Sequence, residues 1–346
     1  MSKTLQDYAT LINDTIQSNE INHYITTDNM CQNLGGIDTL KNINIPQGKV
    51  RSFQKDDVLL SNIRLYFRKV YRAKQKGGCS SDVLVFRAKH IDSATLFAIL
   101  SSQIFTDYAC SGSQGSKMPR GNKTHMMDFK IPTINFTIAK IFNSIQNKIE
   151  NNHKINELLH TLAYKIYEYY FKYKPKNAKL EQIIIENPKS SIMVKNAQKT
   201  QDKYPFFTSG DNILSYPKAI IDGRNCFLNT GGNAGIKFYV GKASYSTHTW
   251  CIGANEFSDY LYLLLSSIKT HINQSFFQGT TLKHLQKNLL KKYPIYMPSV
   301  HEIKKFNQII MPLLTLISIN TRTSKKLEQI RDFLLPLLLK QQVKPK

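Results

Sequence analysis

Apolar residues recur at helical, heptad-like spacing in two long stretches of the chain, residues 137–173 and 300–340. Apolar residues three or four positions apart mark one face of a helix. The first stripe consists of Ile138, Ile141, Ile145, Ile149, Ile155, Leu159, Leu162, Ile166 and Tyr169. The second stripe consists of Ile303, Phe306, Ile310, Leu313, Ile317, Leu327, Ile330, Leu334 and Leu337. The pattern therefore predicts two long amphipathic helices.

These two helices are expected to pack against each other. Each would be about 55 Å long, at about 1.5 Å per residue, and cannot bury its stripe inside a small domain. A coiled coil is the economical solution. The predicted interface consists of Ile145, Ile149, Asn152, Leu159, Leu162, Ile166, Ile310, Ile317, Asn320, Leu327, Ile330 and Leu334.

Two polar residues and two prolines interrupt the stripes. Asn152 and Asn320 stand where an apolar residue would continue the pattern. Each is either a buried amide that fixes the register of the helices or a solvated break in the stripe. Pro312 and Pro336 are expected to kink the second helix or to end it locally.

The remaining segments predict two domains. Short β-like runs lie at residues 57–67, 82–88, 236–243 and 249–254, and an apolar stretch near residues 96–104 is typical of a helix. The lysine-rich residues 173–202 are expected to form a connector. The predicted organisation is a domain over residues 1–136, a helix over 137–174, a domain over 175–299 and a helix over 300–346.

The chain also contains an internal repeat. The segment LFAILSSQIF begins at Leu96, and the similar segment LYLLLSSIKT begins at Leu261. A polar loop containing glycine and then a long helical stretch follow each copy. Two copies of one unit in a single chain predict two similar domains, an arrangement that suits a two-part target.

Charge narrows the class of partner. Lysine and arginine number 47 against 24 acidic residues, which gives a net charge of +23. Such a surplus favours a polyanion, because each neutralised phosphate releases condensed counterions. No apolar run is long enough to span a membrane, and the N-terminus does not resemble a secretory signal. Five scattered cysteines without a CxxC pair are typical of reduced thiols, so we expect a cytoplasmic protein.

Motifs for catalysis are weak in this sequence. The loop GSQGSK at residues 112–117 lacks the spacing of a P-loop, and the nine histidines do not cluster at metal-ligand spacing. We therefore expect no catalytic, cofactor or metal site. An enzyme such as a stand-alone nuclease, and a self-assembling protein that binds RNA or membrane, remain alternatives.

Candidate DNA contacts in the first domain lie in a strand-like run and in a glycine-containing loop. Asparagine and arginine at a strand end can donate to adenine or guanine edges, although contact with phosphate or solvent is the alternative. Polar, basic loops with glycine approach a phosphate backbone closely. The candidates are Asn62, Arg64, Arg68, Lys69, Ser113, Gln114, Lys117 and Arg120.

The second domain repeats this chemistry in three loops. A simple hairpin turn is the alternative for any one of them, but their occurrence in both halves of a basic chain favours DNA binding. The candidates here are Thr208, Ser209, Asn229, Asn233, Lys237, Gln278 and Lys283.

The order of domain, long helix, domain and long helix resembles the specificity (S) subunit of type I restriction–modification systems. The segments FQKDDVLLSNIRLYFRKVYRA and GGCSSDVLVFRA, within residues 53–88, resemble one class of target recognition domain. The segments KYPFFTSGD and DGRNCFLNTGGNAGIKFYVGKASYSTHTWCI, within residues 203–252, resemble another. The resemblance covers nearly the whole chain. It implies a mixed α/β fold in which two pseudo-repeated recognition domains with twisted sheets are joined by an antiparallel coiled coil.

The resemblance further implies a non-catalytic reader of double-stranded DNA. Each recognition domain would read one half-site, and the helix pair would set the gap between the half-sites. Because the two domains differ in sequence, the target would be asymmetric. The helices would also dock two modification (methyltransferase) subunits, which use S-adenosylmethionine, and ATP-dependent restriction subunits, so that this chain itself would hold no cofactor.

Overall fold

The computed structural model describes residues 3–38, 43–131, 133–197, 203–210, 213–280 and 282–339. These residues form two compact units, and the boundary between the units passes through both long helices. The first unit takes the described residues up to Glu150 and those from Ile330 onwards, and the second unit is Asn151–Gln329.

Short elements surround the two long helices. The helices are α1 Leu5–Tyr8, α2 Ser93–Leu100, α3 Gln103–Ser111, α4 Lys123–Met127, α5 Phe136–Tyr167, α6 Ser258–Ser267, α7 Lys269–Ser275, α8 Lys287–Lys291 and α9 Val300–Leu338. The strands of the first unit are β1 Ala9–Ile12, β2 Thr15–Gln17, β3 Tyr24–Ile25, β4 Lys49–Phe53, β5 Val58–Ser61, β6 Val70–Arg72, β7 Gly77–Cys79 and β8 Val83–Ala88. Those of the second are β9 Ala178–Lys179, β10 Ile185–Glu186, β11 Tyr204–Phe207, β12 Leu214–Tyr216, β13 Arg224–Asn229, β14 Ile236–Val240, β15 Ser244–Tyr245, β16 Thr249–Gly253, β17 Phe277–Gln278, β18 His284–Leu285 and β19 Pro294–Ile295.

The internal repeat of the sequence is a repeat of structure. Each unit has an antiparallel sheet, with strand order β1-β8-β5-β6 in the first and β10-β16-β13-β14 in the second. In each unit, a β-hairpin comes first, β5–β6 or β13–β14. A later strand, β8 or β16, pairs with the first strand of that hairpin, and two helices follow it. A second sheet in each unit, β2-β4-β7-β3 or β12-β11-β15, contains one parallel pair, β3 with β7 or β11 with β15. The predicted mixed α/β class with two pseudo-repeated domains is confirmed.

Strand β13 shows why these sheets form the centres of their units. Successive side chains of a strand point to opposite faces. On one face, Cys226 and Leu228 pack in the cluster that contains Trp250 and residues of helix α6. On the other face, Phe227 stacks on Phe207, with 4.1 Å between the ring centroids. Both faces are therefore buried around the three central apolar residues of this strand, Cys226, Phe227 and Leu228.

The long helices pack antiparallel within each unit. In the first unit, Arg331 Nη1 donates to Gln146 Oε1 at 3.0 Å, and Asn135 N donates to Leu338 O at 3.1 Å. In the second unit, Asn152 Nδ2 donates to Ser324 Oγ at 3.1 Å, and Asn320 Nδ2 donates to Asn156 Oδ1 at 3.0 Å. Within each unit, moving along α5 towards its C-terminus therefore corresponds to moving along α9 towards its N-terminus. Asn152 and Asn320 thus make hydrogen bonds between the helices rather than solvated breaks.

The residues of the predicted interface differ in how deeply they are buried. Ile149, Asn152, Ile310 and Ile317 are buried, and Ile145, Leu159, Ile166, Asn320, Leu327 and Leu334 are half-buried. Two residues do not fit a buried interface, because the side chains of Leu162 and Ile330 are 48% and 49% exposed. On α5, the inward face follows Asn152 and Asn156 at helical spacing and then reaches Ala163, which is buried in place of Leu162. On α9, Arg331 is buried in place of the neighbouring Ile330.

Two further expectations are corrected. Helix α9 continues through Pro312 and Pro336, so these prolines do not end it, and the other expected outcome, a kink, stays a prediction. Both prolines are exposed, and at such positions the carbonyl that loses its donor can face water.

The lysine-rich segment after α5 is also more than a connector. Strands β9 and β10 lie within it and pair with β19 and β16, and Leu180 is fully buried. Short edge strands tolerate lysine and proline, which explains why the composition was misleading. Residues 198–202 of this segment lie outside the described residues.

Candidate nucleic-acid interface

In the first unit, the candidate DNA contacts lie around a tight turn that follows β5. The strand ends at Ser61, so the predicted strand to residue 67 is wrong. Arg64 and Arg68 have φ values of 51° and 49° and enclose a 3₁₀ turn, Leu65–Phe67. Positive φ is incompatible with a β ladder, and a sequence pattern does not reveal it at arginine.

The turn and the loop at residues 112–121 form one surface. Arg64 N donates to Pro119 O at 2.9 Å, and Arg64 Nη2 donates to Lys117 O at 3.2 Å. Gln114 and Arg120 exchange backbone hydrogen bonds of 2.9 and 2.8 Å, which close the loop. Two segments that are far apart in sequence are thus held together by main-chain bonds.

The side chains of this surface differ in accessibility. Gln114 and Lys117 are exposed, and Arg120 pairs with Asp82 at 2.9 Å while its side chain stays 62% exposed. Asn62 is buried, and its Oδ1 has no hydrogen-bond partner among the described residues. The half-buried Ser113 donates its hydroxyl to Ala109 O at 3.0 Å.

Two candidates of the first unit contact other parts of it. Arg68 Nη2 donates to Ser101 O, at the end of α2, at 2.8 Å, and burial lowers the pKa of this guanidinium. The Lys69 ammonium donates to Thr27 O. The structure therefore does not bring these two side chains to the loop at residues 112–121, although sequence proximity to Arg64 suggested that they would act together.

In the second unit, Asn229 organises the candidate residues. Its Nδ2 donates to Ser209 O at 2.9 Å and to Asn233 O at 3.1 Å, while its Oδ1 accepts from Lys237 Nζ at 3.3 Å. Lys237 Nζ also donates to Thr208 O at 2.8 Å. The buried side chain thus ties the β13–β14 hairpin to the segment after β11.

A third loop joins the same surface. Gly232 N donates to Lys283 O at 2.9 Å, and Leu285 N donates to Thr230 O at 3.0 Å. The surface therefore combines residues 208–210, 229–237, 278–280 and 282–285. The side chains of Asn233, Gln278 and Lys283 are exposed on it.

Sequence reasoning missed exposed residues beside the first surface and a basic cluster elsewhere in the second unit. Tyr66 and Met118 are both 53% exposed, beside the turn and loop of the first unit. Lys287 and Lys291 lie on α8 over the ring of Trp250. The only signals were two lysines four positions apart and the chain's single tryptophan. Within the described ranges, no group of three or more histidine, cysteine, aspartate or glutamate residues could hold a metal ion, and no helix is long and apolar enough to cross a membrane.

Comparison with known families tests the resemblance noted in the sequence. Residues 176–329 match the family described as the type I restriction modification DNA specificity domain. The resemblance to the type I specificity family is confirmed. The matched residues cover nearly all of the second unit, including Thr208, Ser209, Asn229, Asn233, Lys237, Gln278 and Lys283.

Solved structures extend the likeness to the whole chain at the level of fold. The crystal structure of the type I restriction–modification S subunit from M. genitalium has a TM-score of 0.64 and 13% identity, and the match covers 99% of this chain and 96% of that one. The HsdS subunit from Thermoanaerobacter tengcongensis has a TM-score of 0.37 and 13% identity, with 98% and 96% covered. That second score is too low to support an argument. No curated protein matches the sequence.

Proposed function

We propose that this chain is the DNA specificity subunit of a type I restriction–modification complex and that it reads an asymmetric, bipartite DNA site. The observation that carries the proposal is the duplication of one architecture, with a surface of polar and basic loops on each copy. The net charge of +23 supports binding to a polyanion. Each unit would read one half-site.

The difference between the two surfaces supports an asymmetric target. The first surface combines a 3₁₀ turn with a loop after α3, whereas the second combines three loops held by Asn229. The exposed polar groups also differ, with Arg120 on the first surface and Asn233 on the second. Unlike sets of donors and acceptors select unlike base edges.

The helix pair would set the gap between the half-sites. Both α5 and α9 contribute residues to both units. In this proposal, the number of helical residues would determine the gap between the half-sites. Each helical residue adds about 1.5 Å, and each base pair adds about 3.4 Å.

Exposed apolar faces on the long helices support docking of the modification subunits. Ile155, Leu158 and Leu162 are 40%, 59% and 48% exposed and lie on one face of α5. On α9, Ile309, Leu316 and Ile319 are between 42% and 43% exposed. Apolar side chains at helical spacing outside the core are typical of a helical partner surface.

Changing Leu158 and Leu162 to aspartate should abolish co-purification with the modification subunit, because two charges would have to be desolvated in the interface. DNA binding by the chain itself should persist, since neither side chain is in the core. The matched control is Thr161→Asp, which lies about a quarter turn away on the helix. A complex that assembles normally with both aspartates would exclude this face.

In this proposal, catalysis and its cofactors belong to the partner subunits. Methyl transfer would require the modification subunits with S-adenosylmethionine, and translocation would require the restriction subunits with ATP. The purified chain alone should therefore show neither nuclease nor methyltransferase activity. A duplex should outcompete RNA of the same length at fixed salt.

Mapping methylated adenines by single-molecule sequencing, in cells with and without this gene, tests the function directly. The expected result is one motif that disappears with the gene and consists of two unlike halves around unspecified bases. An unchanged pattern of methylation, or the loss of an uninterrupted palindrome, would contradict the proposal.

A further inference from the structure

A second basic surface of the second unit surrounds Trp250. The indole is 3% exposed, and its Nε1 donates to Glu186 Oε2 at 2.8 Å. Lys287 and Lys291 lie one turn apart on α8, with their ammonium groups 5.0 and 6.0 Å from the centroid of the indole ring. The buried ring thus supports two lysine side chains and holds them close together.

This cluster has more positive charge than its neighbours neutralise. Glu186 forms an ion pair with Lys291 and also accepts from the indole. Within the part of the chain that the structure describes, Lys287 has no carboxylate at ion-pair distance. Burial lowers the pKa of the Lys287 ammonium, and the nearby charges of Lys189 and Lys291 lower it further, whereas Glu186 raises it. Lys287 and Lys291 therefore share one carboxylate, and the positive charge of Lys189 also acts on Lys287.

The cluster lies beside the candidate DNA surface. Trp250 pairs with Leu228 across the sheet, and the next pair is Thr249 with Asn229. Because side chains alternate, Trp250 and Asn229 point to opposite faces at the same end of these strands. The loop just before α8 is hydrogen-bonded to the β13–β14 hairpin through Leu285 N and Thr230 O.

We propose that Lys287, together with Lys189 and Lys291, binds backbone phosphates next to the half-site read by the second unit. The inference rests on the proposed function and adds residues that it does not assign. A partly desolvated ammonium without a paired carboxylate gains most from an anionic ligand. Lysine acts as a point charge on phosphate and has no geometry for a particular base, so these contacts fix the position of the duplex without selecting its sequence.

The salt dependence of DNA binding measures phosphate contacts. Full-length Lys287→Gln should be compared with the unchanged chain on a random-sequence duplex, with the association constant followed against potassium chloride concentration. Each phosphate contact contributes about 0.9 to the slope of log K against log salt, so the variant should lose about that amount. Lys287→Arg keeps the charge and should keep the slope. Affinity for the mapped target should fall by the same factor as affinity for random DNA.

Lys305→Gln is the matched control for net charge, because Lys305 is exposed on α9 and lies outside the cluster. Its slope should equal that of the unchanged chain. Lys189→Gln, at another exposed position, tests the cluster independently of α8 and should lower the slope like Lys287→Gln. Glu186→Gln keeps an acceptor for the indole but releases Lys291, so it should raise the slope.

Unchanged slopes for Lys287→Gln and Lys189→Gln, in chains that melt at the normal temperature, would overturn the inference. So would a loss confined to the mapped target, since that would assign the lysines to base recognition. These outcomes are separate from failure of the proposed function, in which the unchanged chain would bind random DNA without preferring any bipartite site.

Discussion

At the residue scale, Asn229 is the side chain on which the second surface depends most. It links the β13–β14 hairpin to the segment after β11 through hydrogen bonds to Ser209, Asn233 and Lys237, so its removal takes away three hydrogen bonds at once. Asn229→Ala should destabilise the native arrangement of these loops by about 1–3 kcal/mol. We expect roughly tenfold weaker binding to a duplex that carries only the half-site of the second unit.

Asn233→Ala provides the comparison for that experiment. Only the backbone carbonyl of Asn233 contacts Asn229, and its side chain is exposed. This variant should keep the melting temperature of the unchanged chain and alter binding only through lost contact with DNA. Equal losses of thermal stability in both variants would show that the Asn229 side chain does not organise the loops.

Candidate residues were predictable from the sequence as regions but not as individual contacts. The loops at residues 112–121 and 229–237 stood out because glycine and polar residues interrupt apolar runs. The inward orientation of Asn62 and Asn229 depends on burial by distant segments, which one sequence does not show. The left-handed conformations of Arg64 and Arg68 also come from tertiary contacts, since arginine does not favour positive φ by itself.

At the scale of the element, α9 begins with a capping box. Ser299 N donates to Glu302 Oε2 at 2.9 Å, and Glu302 N donates to Ser299 Oγ at 3.3 Å. The hydrogen bond from Ser299 N, helped by one from the Tyr296 hydroxyl, holds the pKa of Glu302 below its ordinary value.

Because the pKa of Glu302 is lower in the folded chain than in the unfolded chain, the ionised carboxylate stabilises the folded state. This stabilisation is fully present above the unfolded pKa of about 4.3, and it is lost as the pH falls through the lowered pKa. Glu302→Gln should therefore unfold more readily than the unchanged chain at pH 7, by about 1 kcal/mol or less, and should differ little from it at pH 3. Urea denaturation at both pH values measures the difference. A deficit that is larger at pH 3 would contradict the assignment.

The polar pair Asn156 and Asn320 should fix the register of the helices in the second unit. Changing only Asn320 to leucine removes the donor to Oδ1 of the half-buried Asn156 and should lower the melting temperature. Changing both residues to leucine should restore or raise it, while weakening the preference for one register. A double variant that is less stable than the single variant would show that the pair contributes stability rather than register.

The long helices were the most predictable elements, but the residues on their buried faces were not all predictable. The expected stretch 137–173 corresponds to α5, Phe136–Tyr167, followed by a π-helical turn, Glu168–Lys172. A pattern built only from large apolar residues passes over Asn156 and Ala163, which the structure half-buries and buries. It also misses Arg331, which is 2% exposed because Gln146 and Asp332 satisfy its guanidinium.

At the scale of the whole molecule, the repeat at Leu96 and Leu261 correctly predicted two similar architectures. The contribution of both long helices to both units was not predicted, because domain limits were drawn where the helical pattern begins and ends. Compactness instead divides α5 after Glu150 and α9 after Gln329. These two points allow the helix pair to be lengthened without altering the loops of either unit.

The most direct test of the central claim is therefore the gap in the methylated motif when seven residues are inserted after Glu150 and seven after Gln329. Seven residues complete nearly two helical turns, so the buried faces stay aligned while each helix gains about 10 Å. Methylome sequencing should then show both half-sites unchanged and the unspecified gap longer by about three base pairs. An active variant with an unchanged gap, or with altered half-sites, would contradict the account.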